Sequence, residues 1–232
     1  MRLAIMQPYF LPYIGYFQLI GAVDLFVVYD EIKYTKKGWI NRNRFLLDGH
    51  AETFTLPLRK GSDSLSVVER ELASEFDPRQ MLDRFVSAYR RAPYRESALE
   101  LLRRVLLCAE KNLFGYLHQS LLEVCAHLGI RTEIRVSSSV RFDNSLKAEE
   151  KVLALCEAVG ATSYVNPIGG TDLYAKEAFA ARGVDLRFLR SRPFEYPQFG
   201  HPFVPSLSII DALMFNPSQD VRERVGRDYE LI

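Results

Sequence analysis

An apolar stretch, Leu3 to Met6, runs directly into Gln7-Pro8-Tyr9-Phe10-Leu11-Pro12-Tyr13. The chain then passes through Gly15 into a short helical run and returns as a second apolar stretch, Leu25 to Tyr29. Two strand-like segments joined through a helix form a β-α-β unit, which predicts a parallel sheet. The loop between them is the strongest constraint. Its rings are costly to leave in water, and its tyrosine hydroxyls need partners once buried. The loop also leaves the carboxyl end of a strand and enters a helix, the place where open α/β sheets build ligand sites.

The rest of the chain extends that pattern. Phe45 to Leu47 and Thr53 to Leu58 flank Asp48-Gly49-His50, a hairpin turn signal. From Asp77 to Gly129 the spacing is helical, with Asp77-Pro78 as a cap and first-turn proline and with Pro93 as a break. Alternation then resumes. Thr132 to Val136, Tyr164 to Asn166 and Leu186 to Leu189 read as strands, separated by helices over Lys147 to Val159 and Leu173 to Ala181. An aromatic and proline-rich loop, Pro193 to Pro205, leads to a last helix from about Leu207 to Phe215. The expectation is a single α/β domain over 1–232 with an open parallel sheet, into which residues 77–129 are inserted as a helical lobe.

Composition excludes several classes. With 30 Lys and Arg against 29 Asp and Glu, the chain lacks the basic surface that bulk nucleic-acid binding requires. No apolar run approaches the roughly 18 residues of a membrane span, and Gln7-Pro8 interrupts any leader-like amino terminus. The expected location is therefore cytoplasmic. Cys108, Cys125 and Cys156 lie far apart in apolar helical patterns without metal-ligand spacing, and read as buried free thiols. No metal is expected, and nothing specifies a cofactor or an oligomeric state.

Three constellations could carry chemistry. In the first, Tyr13-Ile14-Gly15-Tyr16 opens the helix, with Gln7, Tyr9 and Gln18 nearby. The spacing resembles the nucleotidylyltransferase and pantothenate-synthetase arrangement of the HUP-like folds, where a His-x-Gly-His binds nucleotide phosphates. Tyrosines stand here in place of both histidines, and the alternative is a tyrosine pair packing the helix onto the sheet. The second is the segment Tyr29 to Arg44, at the end of the second strand, which includes Lys33, Lys36, Trp39, Asn41, Arg42 and Asn43. Arginine forks suit phosphate or carboxylate oxygens, and tryptophan can stack a base or sugar. The alternative there is a solvated charged loop. The third combines Asn166, Gly169-Gly170, Tyr174, Gln198 and His201, where the glycines could cradle an anion. Ser208 and Asp211 are spaced as a capping box. Among groups able to move a proton, Asp30, Lys33 and His201 are the catalytic candidates, with Asp30 the best-placed base.

The opening Met6 to Ile20, the Gly38 to Arg44 run Gly-Trp-Ile-Asn-Arg-Asn-Arg, and the closing Phe203 to Asn216 together resemble the WbqC-like proteins across essentially the whole chain. That resemblance implies a role in bacterial surface-polysaccharide or O-antigen chemistry, with acyl or aminoacyl (glycyl-type) transfer onto an amino sugar as the suggested reaction. It also implies that the Gln7 to Gln18 loop and the Lys33 to Arg44 segment carry the site. The expected partner is a small phosphate-bearing substrate such as a nucleotide sugar. Two alternatives remain open: an ATP-dependent ligase or nucleotidyltransferase, and a non-catalytic ligand-binding or scaffolding protein.

Overall fold

The computed structural model describes residues 1–232. Its opening unit is β1 (Arg2–Met6), α1 (Ile14–Gly21) and β2 (Leu25–Val28), with Leu3 to Met6 paired parallel to Leu25 to Val28. Next comes an antiparallel hairpin, β3 (Arg42–Leu47) and β4 (His50–Thr55), in which Leu47 faces His50. Its two-residue turn puts Asp48 at φ 49° and Gly49 at φ 81°, the left-handed pair that matches strand twist. Three helices follow: α2 (Pro78–Ala88), α3 (Arg95–Leu106) and α4 (Leu113–His127). Asp77 caps α2 by accepting from Arg79 N and Gln80 N, as its sequence position predicts.

The chain then lays down β5 (Glu133–Val136), α5 (Ala148–Val159), β6 (Ser163–Pro167), α6 (Lys176–Ala181) and β7 (Asp185–Ser191). A long loop leads to α7 (Ile209–Phe215), α8 (Ser218–Arg227) and β8 (Tyr229–Leu231). The six-stranded sheet runs β5-β2-β1-β6-β7-β8, and all its pairings are parallel except the last. The mostly parallel α/β sheet is thus present, with an antiparallel edge strand and a preceding helix that the sequence pattern did not reveal. No helix is long and apolar enough to cross a membrane.

Side chains alternate across the sheet as strand geometry requires. Leu3, Ile5, Leu25 and Val27 pack against α5 and α6 through Val152, Leu155, Cys156 and Phe179. Ala4, Phe26 and Val28 face the other way. They join one cluster of 49 buried residues that also contains Phe45 and Phe54 of the hairpin and Phe85, Tyr89, Leu102 and Leu121 of α2 to α4 and their ends. These three helices and the hairpin therefore extend the core of one sheet face. Strand order reverses between β1 and β6: the chain moves outward from β1 to β5 on one side, then resumes at β6 on the other. Open α/β sheets bind ligands at the carboxyl edge of such a reversal.

Candidate functional site at the carboxyl edge of the sheet

A cleft of about 540 Å³ lies at this reversal. Its floor is the end of β1 (Ile5 and Met6) with Gln7 just after it, and the end of β6 (Asn166 and Pro167). Tyr9, Tyr29 and Tyr174 form much of its wall, and Ala148, Lys151 and Val152 of the first turns of α5 close one side. Gly169 and Gly170 lie in a 3₁₀ turn after β6, not at the start of the helix expected from Leu173. An added Cβ at Gly169 would meet nothing within 4 Å, whereas one at Gly170 would run into the Asn166 amide. Asn166 is 6% exposed and accepts from the Tyr164 hydroxyl at 3.2 Å.

The charge in this cleft is Lys151. Its ammonium sits 5.6 Å from the ring centres of both Tyr29 and Phe142, and no carboxylate pairs with it. Ring faces steady a cation without neutralising it. Burial raises the pKa of Tyr9, Tyr29 and Tyr174. At neutral pH their hydroxyls are therefore hydrogen-bond donors and not phenolate bases. The lining contains no carboxylate and no imidazole. The arrangement suits an anionic, polar ligand held by one cation, tyrosine hydroxyls and an amide.

Two smaller cavities continue along the same edge. One of about 230 Å³ is lined by Tyr9, Pro12, Tyr13, Trp39, Asn43, Arg44 and Ser206, and so shares Tyr9 with the cleft. The other, about 400 Å³, shares Tyr13 and Ser206 with it and is walled by Ser191 to Tyr196 and by Phe203. Among the residues that the sequence singles out, Gln7, Tyr9, Asn166, Gly169, Gly170 and Tyr174 line the main cleft, while Tyr13, Trp39, Asn43 and Arg44 line its neighbour.

The other candidates are occupied by the fold. Tyr16 is buried and donates to Gln7 O at 2.7 Å, which shapes the loop from inside. Gln18 is fully buried and donates to the carbonyls of Arg224 and Asp228 at the end of α8. Gly15 lies under the Tyr13 ring, so that ring covers the start of α1 where an anion would otherwise approach. Asn41 donates to Leu56 O and accepts from the Tyr34 hydroxyl. Arg42 turns back on Gly38 O and Lys37 O, and Lys36 pairs with Asp63 at 2.7 Å. Asn43, besides lining its cavity, donates to Phe10 O and Leu11 O and so clamps the aromatic loop to the hairpin.

Asp30 is 4% exposed, and its Oδ1 accepts from Ser137 Oγ at 2.7 Å and Ser138 N at 3.1 Å. It ties the end of β2 to the turn after β5, outside the three cavity linings. Lys33 is exposed and outside them too, and His201 sits with its ring against Gly49. Gln198 is fully buried and donates to Asp211 Oδ2 at 2.8 Å. Asp211 does not complete a capping box. Ser208 caps α7 by accepting from Ile210 N, while the fully buried Asp211 accepts from Tyr89 Oη at 2.7 Å, Tyr196 Oη at 2.6 Å and Gln198. Three donors inside the core claim its carboxylate, and the Ser208 amide donates instead to Arg44 O at 2.9 Å.

Lys151 is not among the residues that the sequence singles out, and Tyr29 enters there only as the first residue of the second constellation. A lone lysine on a helix has no local signal, and only strand order brings it to the loop after β1. A family model described as the WbqC-like protein family matches residues 7–223. The uncharacterized protein Rv1507c of Mycobacterium tuberculosis (strain ATCC 25618 / H37Rv) is 27% identical over 218 residues, covering 93% of each chain. No solved structure matches.

Proposed function

This chain belongs to the WbqC-like protein family, and on that premise we propose that it is a transferase acting on a nucleotide-linked amino sugar. In this reading it moves an acyl or aminoacyl group onto the sugar amine during polysaccharide or related sugar biosynthesis. The observation that carries the reading is the cleft at the strand-order reversal, with Lys151 unpaired at its wall. A phosphate would sit against Lys151 and the Gly169-Gly170 turn. Gln7, Asn166 and the hydroxyls of Tyr9, Tyr29 and Tyr174 would orient the sugar. Amide formation consumes the lone pair of a neutral amine, and the lining offers no carboxylate or imidazole to deprotonate it. The acceptor amine therefore enters unprotonated and attacks the carbonyl of an activated acyl donor. The donor's bond to its leaving group breaks as the amine's proton passes to that departing group or to water, while the protein contributes by holding the two substrates together.

The same lack of an acid-base pair favours a second reading, a binding protein without turnover. A thermal-shift panel of ATP, CTP, UDP-sugars and dTDP-sugars with magnesium separates the possibilities. Stabilisation by a nucleotide amino sugar, lost in Lys151→Gln, supports the transferase. Stabilisation by ATP alone supports a nucleotidyl-transfer enzyme. A bound nucleotide sugar that is never acylated in the presence of activated donors supports the binding protein.

A further inference from the structure

We propose that the pocket between Trp39 and Arg44 is a second anion subsite that takes the planar carboxylate of a small organic acid or amino acid. Its position one tyrosine away from the main cleft places two ligands side by side, with Tyr9 as the shared wall. Arg44 is held from both sides. Its N–H donates to Asn43 Oδ1 at 2.8 Å, its carbonyl accepts from Ser208 N at 2.9 Å, and one terminal nitrogen donates to Ser206 O at 3.2 Å. The rest of the guanidinium is unused by the protein. No carboxylate pairs with it, and its Nε–H, shielded from solvent, meets no acceptor.

A buried charged donor without an acceptor is uncommon and calls for a partner. The edge formed by Nε and Nη2, the nitrogen that gives one of its N–H groups to Ser206 O, matches a two-oxygen planar anion, which would take Nε–H and the second Nη2–H at once. Trp39 is 41% exposed and lies 5.4 Å from the Arg44 guanidinium carbon, stacked on the cation. The cavity, about 230 Å³, limits the ligand to a small molecule. Phosphate carries a comparable oxygen pair, so the two anions are separated by experiment.

The carboxylate held here is not itself the acyl donor, since a free acid condenses with an amine only after activation. The proposal rests on the two-substrate reading above only for the ligand lying beside the sugar, not for its binding. The chain has a single tryptophan, so its emission reports this pocket directly. The full-length protein is titrated at constant ionic strength with acetate, glycine, succinate and inorganic phosphate. A saturable change in Trp39 emission by a carboxylate at millimolar concentration is expected. Affinity should fall at least tenfold in Arg44→Gln and also in Arg44→Lys, which keeps the charge but not the fork. Arg59→Gln, on an exposed pair with Glu71, should bind as the parent does. No saturable change, a response to phosphate alone, or equal binding by the Arg44 variants overturns the subsite. If the carboxylate response persists while no nucleotide sugar binds, the subsite stands and the transferase reading falls.

Discussion

Replacing Asp211 should be among the most damaging single changes in the chain, although it lies outside all three cavity linings. Its carboxylate is fully buried and is the common acceptor for Tyr89, Tyr196 and Gln198. These residues come from α2's C-terminal end and the Pro193 to Pro205 loop, and Tyr89 in turn accepts from Leu46 N of β3 at 2.8 Å. Each hydrogen bond to a buried charge contributes about 1.5–3 kcal/mol, and bonds that share one acceptor do not add fully. Asp211→Ala should therefore cost about 4 kcal/mol, and Asp211→Asn about 2 kcal/mol, because the amide keeps one acceptor oxygen. With a urea slope of about 2.5 kcal/mol/M, the alanine variant's midpoint falls by about 1.5 M. Tyr89→Phe should cost more than Tyr196→Phe, since only Tyr89 relays a backbone N–H. Burial raises the Asp211 pKa above its ordinary value against the pull of its three donors. The folded state therefore binds the proton more tightly than the unfolded chain. That contribution is complete below the ordinary aspartate range and is lost as pH rises through the folded value. The stability gap between parent and Asp211→Asn should thus widen from neutral to mildly acidic pH. An alanine variant within about 1 kcal/mol of the parent, or a gap that narrows on acidification, would refute the hub as described.

Asn43→Ala should cost about 2–3 kcal/mol by chemical denaturation, because two loop carbonyls and the Arg44 N–H lose their partner together. It should also loosen Leu11, held at φ 43°, and a loss below about 0.5 kcal/mol would mean the clamp is unimportant. Gly170→Ala should leave stability within about 1 kcal/mol while displacing the Asn166 amide, so ligand affinity in the cleft should fall with little change in melting temperature. Cys125 and Cys156, whose thiols burial pushes up to about 12, should resist alkylation in the folded protein at neutral pH and react only on unfolding.

Local chemistry made much of this architecture readable. The first β-α-β unit and the Asp77 cap each rest on neighbouring residues and stand where the sequence places them. The expected hairpin is present with a tighter turn, since His50 belongs to β4, which ends at Thr55 rather than Leu58. The elements α8 and β8 escaped because α8 buries little more than Val221 and Val225, too thin an apolar stripe to stand out among charges. The aromatic loop was legible as a wall of a cavity, but Tyr16 and Gln18 were not separable from it by type, since burial alone turns them into braces. Asp211 shows the same limit. A serine three residues earlier suggested a cap, while the tyrosines that claim its carboxylate lie far along the chain or across a loop. Lys151 needed strand order as well, because β6 beside β1 is what brings α5 to the cleft.

The most direct test of the central reading is a crystal structure of the protein with a nucleotide amino sugar bound. Phosphate oxygens within hydrogen-bond reach of Lys151 Nζ and beside Gly169 and Gly170, with the sugar against Asn166 and Tyr9, are the predicted result. A nucleotide lodged elsewhere on the chain, with the cleft between β1 and β6 filled only by solvent, would contradict it.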